Sequence, residues 1–269
     1  MPRPANGYRN AAGQPVPGTN DITGRYQSPE GLYRWFYNNG KNGLPFRPDA
    51  DINIGSAVHK MAELDLIGAA DGEIEAALHD YLSARNHLEM ANNAFRAFRA
   101  WREQNRVRVL GQETSIVSER YQYGGTPDLI AIINNTIGIL DFKTSAKGAI
   151  YDNMKIALSA HANLWNEANP KTTIDTYHLI VLPKDGGIFK HHAFDTLQRE
   201  WQMFLLQREL YSLEKGTSAK AGKPEASTSV QPKPVAREKP RVRVKAQSAP
   251  ALTMAELLRG YGHVPEVRA

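Results

Sequence analysis

Two aspartates and a lysine interrupt runs of residues that otherwise belong in a sheet interior. Asp141 and Lys143 stand two apart in Gly138-Ile139-Leu140-Asp141-Phe142-Lys143-Thr144-Ser145, a stretch with the β-branched and apolar content of a strand. At that spacing both side chains leave the same face of a sheet. Asp128 lies in the preceding stretch, Thr126-Pro127-Asp128-Leu129-Ile130-Ala131-Ile132-Ile133, and Asn134-Asn135 between the two has turn chemistry, since Asn tolerates a positive φ. A two-residue turn sets Ile133 opposite Thr136 and, counting back, Asp128 opposite Asp141. Cβ atoms of such a pair are ~4.5–5.5 Å apart. Two carboxylates that close repel unless a cation lies between them. Hard oxygen ligands suit Mg²⁺, with Mn²⁺ as the alternative. Ordinary strand-end charges are the rival explanation, but three charges meeting inside apolar strands are costly to keep without function.

A second group is Gly55-Ser56-Ala57-Val58-His59-Lys60-Met61-Ala62-Glu63. Gly55, His59 and Glu63 recur every four residues and share one helical face. There Gly55 allows close backbone approach, and His59 offers an imidazole to the same metal unless it is a core or capping histidine. Glu63 and Glu113 are candidates for a supporting shell, Glu113 as the opening residue of the first strand, reaching the metal through water. The remaining histidines show no ligand spacing. No G-x-x-x-x-G-K-[ST], G-x-S-x-G or H-E-x-x-H occurs, so no built-in ATPase, serine-hydrolase elbow or zincin helix is expected.

These residues need elements to hold them. Residues 1–27 form an irregular segment, rich in Gly, Pro and Asn, with room for one short hairpin. Ser28-Pro29 reads as N-cap and first helical residue, with Gly40 just past the end and Leu32, Trp35 and Phe36 along one side. Further helices are expected at about Asn53–Ile67, Asp71–Ala84 and Glu89–Gln104, the last with Ala91, Phe95, Phe98 and Trp101 as its apolar face. Strands follow at Glu113–Glu119, Thr126–Ile133 and Ile137–Lys143, then a helix at Tyr151–Ala168. Two more strands, Thr176–Leu182 and Ile188–Ala193, flank a Lys184–Gly187 turn, and a helix over Leu197–Leu213 closes the domain. The order predicts an α/β fold, a mixed central sheet flanked by helices over residues 28–215.

The net charge of +5 is not spread evenly. Residues 216–250 hold eight Lys and Arg against Glu225 and Glu238, a net of +6, which leaves the rest of the chain at −1. That segment has almost no large apolar residues and is expected to be a disordered basic linker. Within residues 251–269, Ala251–Tyr261 reads as a short amphipathic helix, a candidate contact for a protein partner. There are no cysteines, which excludes disulfides, thiolate chemistry and iron–sulfur clusters. With no membrane-length apolar run and no signal-peptide core, the chain is expected to be soluble and cytoplasmic, in a host cytoplasm if phage-encoded.

The ordered set G-x-x-x-H-x-x-x-E, then Glu, then G-x-x-D, then D-F-K-T-S resembles the RecB-like branch of the PD-(D/E)XK nucleases over about residues 53–167. It is similar to phage-encoded exonucleases and to the mitochondrial genome maintenance exonuclease. The resemblance implies a restriction-endonuclease-like core and a Mg²⁺-dependent deoxyribonuclease, an exonuclease acting on DNA in recombination, repair or replication. It implies that His59, Asp128, Asp141 and the Phe142 carbonyl bind metal and that Lys143 assists the attacking water. It also implies a Q-x-x-x-Y element on the helix after the core strand. Here Ala157-Leu158-Ser159-Ala160-His161 stands in that place, with Ala for Gln and His161 for Tyr as the candidate substrate-positioning residue. A nuclease fold that has lost catalysis and serves as a DNA-binding or adaptor module is the alternative.

The tail generates a prediction of its own. Each phosphate that a basic residue of 216–250 neutralises adds about −0.9 to the slope of log K against log salt on duplex DNA. Removing residues 216–269 should weaken DNA binding at low salt and flatten that slope, measured by fluorescence anisotropy across a salt series. An unaltered slope would mark the segment as a plain linker.

Overall fold

In the computed structural model, which describes residues 4–26, 29–43, 49–145 and 149–220, the N-terminal stretch is more regular than its composition suggests. The expected hairpin is there: β1 (Tyr8–Arg9) pairs with β2 (Pro15–Val16), with Tyr8 opposite Val16. A helical turn not anticipated, α1 (Thr19–Thr23), follows. Asp21 Oδ2 accepts the Gly18 N–H at 2.9 Å at its start, and Ile22 is fully buried. Local sequence gave no sign of α1, because its stability comes from burying Ile22 rather than from helix propensity.

Helix α2 (Pro29–Lys41) begins at the proline as expected. It does not stop before Gly40. The left-handed residue beyond its end is Gly43, at φ 67°. Ser28 and the side chains of Leu32 and Trp35 lie outside the described residues. Next come α3 (Asp49–Leu66), α4 (Asp71–Tyr81) and α5 (Arg85–Gln104). Both α3 and α5 start earlier than their apolar periodicity implies. Ala91, Phe95, Phe98 and Trp101 form the buried stripe of α5. The end of α3 is fixed to α5 through the buried Asp65, which accepts from Arg99 Nε at 2.9 Å and also pairs with Arg102.

The expected strand Glu113–Glu119 requires correction. The edge strand of the central sheet is β3 (Val107–Gln112), which ends before Glu113. It carries Arg108 and Gln112, a bulge between Val109 and Gly111, and mostly half-buried side chains. An edge strand with that content lacks the apolar run that marks a central one. Residues further on instead form β4 (Ile116–Ser118), which pairs with β5 (Tyr123–Gly125) in a separate two-stranded ribbon. Pro127, which has no N–H for a ladder, lies between β5 and β6 (Leu129–Ile133) and divides the expected strand Thr126–Ile133.

Asn134 and Asn135, at φ 49° and 79°, close the turn into β7 (Thr136–Thr144), and Ile133 faces Thr136 in the register counted from the sequence. Helix α6 (Asp152–Ala168) carries the chain over to β8 (Thr176–Leu182), which runs parallel to β7. After a turn with Gly186 at φ 87°, β9 (Lys190–Phe194) returns antiparallel to β8. Helix α7 (Gln198–Lys220) continues beyond Leu213, so residues 216–220 are helical rather than part of a disordered linker. The remainder of that linker and the Ala251–Tyr261 helix lie outside the described residues. The result is a five-stranded mixed sheet in the order β3-β6-β7-β8-β9, covered by helices on both faces. No helix among the described residues is long and apolar enough to cross a membrane.

Strand alternation sorts the core. Leu129, Ala131, Leu140, Phe142 and Ile180 pack toward α3 and α5. Ile130, Ile139 and Leu179 pack toward α6 with Leu158, Ala162 and Trp165. A third cluster joins Ile22, Tyr123, Leu164, Trp201 and Phe204, tying α1, β5, α6 and α7 together.

A chain of polar groups crosses the β8–β9 pair. Trp101 Nε1 donates to His191 Nδ1 at 3.4 Å, His191 Nε2 donates to His178 Nδ1 at 2.9 Å, and His178 Nε2 donates to Thr176 Oγ1 at 2.9 Å. This ordering needs both imidazoles neutral. Burial, with the neighbouring His191 adding, pushes His178 down from 6.5 to about 4. The unfolded chain therefore takes up the proton first, at about 6.5. The stability that neutral His178 contributes is fully present above that pH and is lost as pH falls toward about 4. His178→Gln should reduce proton uptake on unfolding in that window by about one, read from the pH dependence of urea-unfolding free energies. An unchanged dependence would refute it.

Candidate metal centre

The β6–β7 ladder stops at Leu129 and Leu140, one step before Asp128 and Asp141 come opposite each other. Asp128 does not extend it with main-chain bonds to β7. Its Oδ2 accepts the Phe142 N–H at 2.8 Å, and its carbonyl accepts the Glu113 N–H at 3.3 Å. One residue thus joins the ends of β3, β6 and β7. Alternation places Asp128 on the face of Ile130 and places Asp141 and Lys143 on the face of Ile139, and these isoleucines share one core cluster. Asp128 and Asp141 are each only 4% exposed.

His59 arrives on α3, from the other layer. Its Nε2 donates to the Phe142 carbonyl at 2.9 Å, which leaves Nδ1 as a bare lone pair 3.5 Å from Asp128 Oδ2. Two acceptors facing each other gain nothing without a proton or a cation between them. Burial, with the Lys143 charge adding, pushes His59 down to about 4, so the imidazole is neutral near pH 7. Glu113 does not open a strand as anticipated. It follows β3 with φ 48°, a left-handed backbone uncommon outside glycine that turns the chain sharply at the strand's end. It is also closer than a water-bridged position: His59, Glu113 and Asp128 each offer a ligand atom within 4.8 Å of the others'.

Unsatisfied atoms point the same way. His59 Nδ1, Glu113 Oε2 and Asp128 Oδ1 are buried with no hydrogen-bond partner. One such atom costs about 1–3 kcal/mol and calls for an explanation. Three beside one another match the donor set of a divalent cation, one nitrogen and two carboxylate oxygens. Burial raises Glu113 to about 7, helped by the Glu63 and Asp141 carboxylates. Burial and the Asp141 charge hold Asp128 well above the usual carboxylate range. The protein alone leaves this corner short of positive charge.

Lys143 supplies the nearest cation. Its Nζ makes a contact ion pair with Asp141 Oδ2 at 2.6 Å, while 31% of its side chain stays open to solvent. Burial opposes its charge, but Asp141 and Asp128 outweigh burial and raise it, so it remains an ammonium. Phe142 anchors the strand between these groups. Its ring packs edge-on against Phe98 and Trp101, with centroids 5.4 and 5.9 Å away, and its carbonyl is engaged by His59. Glu63 lies one turn beyond His59, paired with Lys60 at 3.0 Å, and acts on the cluster through its charge on Glu113. Gly55 does not need to be glycine for space: an added Cβ would meet only Thr144 Oγ1, at an ordinary 3.4 Å.

His161, on α6, is buried and pushed down to about 4 by burial, and it feels the charges of Asp141 and Lys143. Sequence reasoning missed the groups around it. The Tyr8 hydroxyl and Ser115 Oγ each lie 3.0 Å from Thr126 Oγ1, and Thr19 Oγ1 donates to the Gly124 carbonyl at 3.1 Å. The available signal was Gly124-Gly125. An added Cβ on Gly124 would sit 2.3 Å from the Tyr8 ring, and one on Gly125 would sit 2.7 Å from His161. The doublet marks two close approaches, although nothing local identifies the partners.

No family model and no curated protein sequence matches the chain. Solved structures resemble it at low identity. A candidate exonuclease from Eubacterium rectale is 13% identical, covers 74% of this chain and 82% of its own, and has a TM-score of 0.44. An alkaline exonuclease from Laribacter hongkongensis is 15% identical, covering 61% of this chain and 93% of its own, with a TM-score of 0.28. The structure of that enzyme with dAMP gives 14%, 60%, 93% and 0.29.

The titration of the cluster predicts how it takes a cation. Glu113 and Asp128 must lose their protons to bind one. Affinity for Mn²⁺ or Mg²⁺ should therefore rise as pH climbs through about 7 and level off above it, with protons released on binding. Calorimetry in two buffers of different ionisation heat measures this. Glu113→Gln should weaken binding and shallow the pH dependence, and pH-independent wild-type binding would count against the cluster.

Proposed function

We propose that this chain is a divalent-metal-dependent deoxyribonuclease that hydrolyses DNA phosphodiester bonds from strand ends. The observation that carries this is the set of buried, unpartnered ligand atoms on His59, Glu113 and Asp128, set beside Asp141 and Lys143. The ordered motif set of the sequence supports DNA as substrate and an exonuclease acting in recombination, repair or replication. Mg²⁺ is the favoured ion because carboxylates dominate the donor set, and the His59 nitrogen leaves Mn²⁺ as the alternative.

His59, Glu113 and Asp128 would hold the ion, and Asp141 offers a further carboxylate beside them. When bound, a divalent ion supplies Lewis-acid chemistry, making water a stronger nucleophile and offsetting the charge that grows on the phosphate. The Phe142 amide orients Asp128, and the Phe142 carbonyl orients His59 with its lone pair toward the carboxylates. Lys143 stays protonated beside Asp141. Its ammonium is therefore a donor that aligns the attacking water and stabilises the developing negative charge, not a base that removes a proton. Apart from Glu113, on the bend just after β3, these groups sit on strand ends or a packed helix, so little reorganisation is needed as charge develops.

The test is digestion of end-labelled linear DNA beside a closed circle, with Mg²⁺ or chelator, using full-length protein. Mononucleotide release from linear DNA, abolished by chelator and absent from the circle, is the expected result. Lys143→Ala should lower turnover by about 10²-fold or more, the scale of losing one preorganised donor. It should lower the melting temperature as well, because it leaves the buried Asp141 carboxylate without its ion partner, so rates are compared in protein shown to be folded. Asp141→Asn should reduce turnover as well. Wild-type rates from Lys143→Ala, in preparations checked for contaminating nuclease, would sink the mechanism.

A further inference from the structure

Near the carboxylate cluster in sequence, two residues before Asp128, the fold leaves a small, partly open cavity of about 80 Å³ lined by both polar and apolar groups. Its walls come from three places far apart in sequence: the N-terminal segment with Tyr8, Thr19, Asn20 and Asp21, the stretch before β6 with Thr126, and His161 on α6. Tyr8, Thr19, Thr126 and His161 are all more than nine-tenths buried. The hydroxyls are spoken for, since Tyr8 pairs with Thr126 and Thr19 donates to the Gly124 carbonyl. The His161 imidazole is different: it is 3% exposed, lines the cavity and makes no hydrogen bond to any described residue. Its ring nitrogens are not sealed from solvent, so a group in the cavity can complete them. Glycine at position 125 belongs to the same construction. A Cβ there would meet His161 Cδ2 at 2.7 Å and Thr19 Oγ1 at 2.8 Å.

The lining excludes some ligands. Among the described residues no Lys or Arg lines the cavity and Asp21 does, which disfavours a phosphate there. It suits a neutral group with hydrogen-bonding capacity. Size narrows the choice. At about 10–15 Å³ for each water-sized probe, the space holds roughly half a dozen, enough for a five-membered ring with a substituent and too little for a whole nucleotide. Position narrows it again. Thr126 is two residues from Asp128, on the order of 7 Å along an extended chain. The group in the cavity therefore lies next to a phosphate engaged at the carboxylates.

We infer that this cavity binds the sugar of the nucleotide flanking the scissile phosphate, with His161 hydrogen-bonded to its free hydroxyl. The inference rests on the nuclease reading for the word scissile, but not for the binding itself. A neutral imidazole offers one donor and one acceptor, and a sugar hydroxyl is the complement of either. An unmodified DNA strand carries a free sugar hydroxyl only at an end, so occupancy of this cavity favours terminal nucleotides over internal ones.

The experiment is nucleoside binding to the metal-free, full-length protein, followed by ligand-observed NMR with thymidine as probe. Thymidine should bind, inorganic phosphate should not compete with it, and a thymidine lacking both sugar hydroxyls should bind at least tenfold more weakly. His161→Phe should weaken thymidine at least tenfold. Asn20→Trp, at an exposed rim position that leaves the core alone, should block the cavity and do the same. Absence of thymidine binding, competition by phosphate, or unchanged affinity in Asn20→Trp with an intact melting temperature overturns the proposal. Asp141→Asn separates the two readings, because it should lose DNA cleavage and keep thymidine binding. Thymidine bound in a His161-dependent way by a protein that cleaves no DNA would end the nuclease reading and leave the sugar site standing.

Discussion

Like charge forced together out of water is the constraint on which this molecule turns. Asp128, Asp141 and Glu113 crowd one corner where the main strands end, and burial removes the solvent that would separate their charges. In an interior of low dielectric such a group is strongly unfavourable unless each charge is neutralised or matched. The protein matches it only in part. The Phe142 amide serves one oxygen of Asp128 and the Lys143 ammonium serves Asp141, while Glu113 Oε2 and Asp128 Oδ1 have no hydrogen-bond partner. The fold around the corner is what makes that arrangement tolerable, because the hydrophobic layers on both sheet faces keep the strand ends from relaxing apart.

That stiffness comes from the neighbours of the charged residues more than from the charged residues themselves. Phe142 sits between Asp141 and Lys143 and points the other way, into Phe98 and Trp101 of α5. Packing on one face of β7 thereby sets the positions of the ionic groups on the opposite face. Asp65 does the same for the imidazole: its bonds to Arg99 and Arg102 fix α3 against α5, and α3 carries His59. Strand ends and a clamped helix hold a chemical group more narrowly than a loop does.

The Gly124-Gly125 doublet shows how a second layer is built onto that frame. Without side chains there, the Tyr8 ring closes over one residue while His161 and Thr19 close over the next. The N-terminal hairpin and α1 are thereby brought against the strand that leads to Asp128. Their packing is shared with β5, α6 and α7 through Ile22, Tyr123 and Phe204, so this second layer is part of the core rather than an appendage. The sugar-sized cavity is what remains between these surfaces.

Much of this was legible before any coordinate. The Asn134-Asn135 turn set the β6–β7 register, because two residues at positive φ leave a hairpin no other pairing, and that register alone brings Asp128 level with Asp141. Side-chain alternation put Lys143 on the same face, and the order of strands and helices implied a mixed sheet between helices. These are short-range consequences of period and turn chemistry. Glu113 was visible as a charge but was misplaced at the start of a strand. Its true place depends on a left-handed bend after β3, and β3 is an edge strand whose partner β6 begins only after the intervening residues 113–128. Tyr8, Thr19 and Thr126 carried no signal at all. Their proximity to His161 follows from how three elements pack, and packing is decided by the whole core at once. Sequence determined which charges had to be buried together, since period and turn geometry act between neighbours. Tertiary structure decided which of their atoms would be left without a partner, since that depends on groups such as the His59 imidazole, brought to Phe142 from 83 residues away.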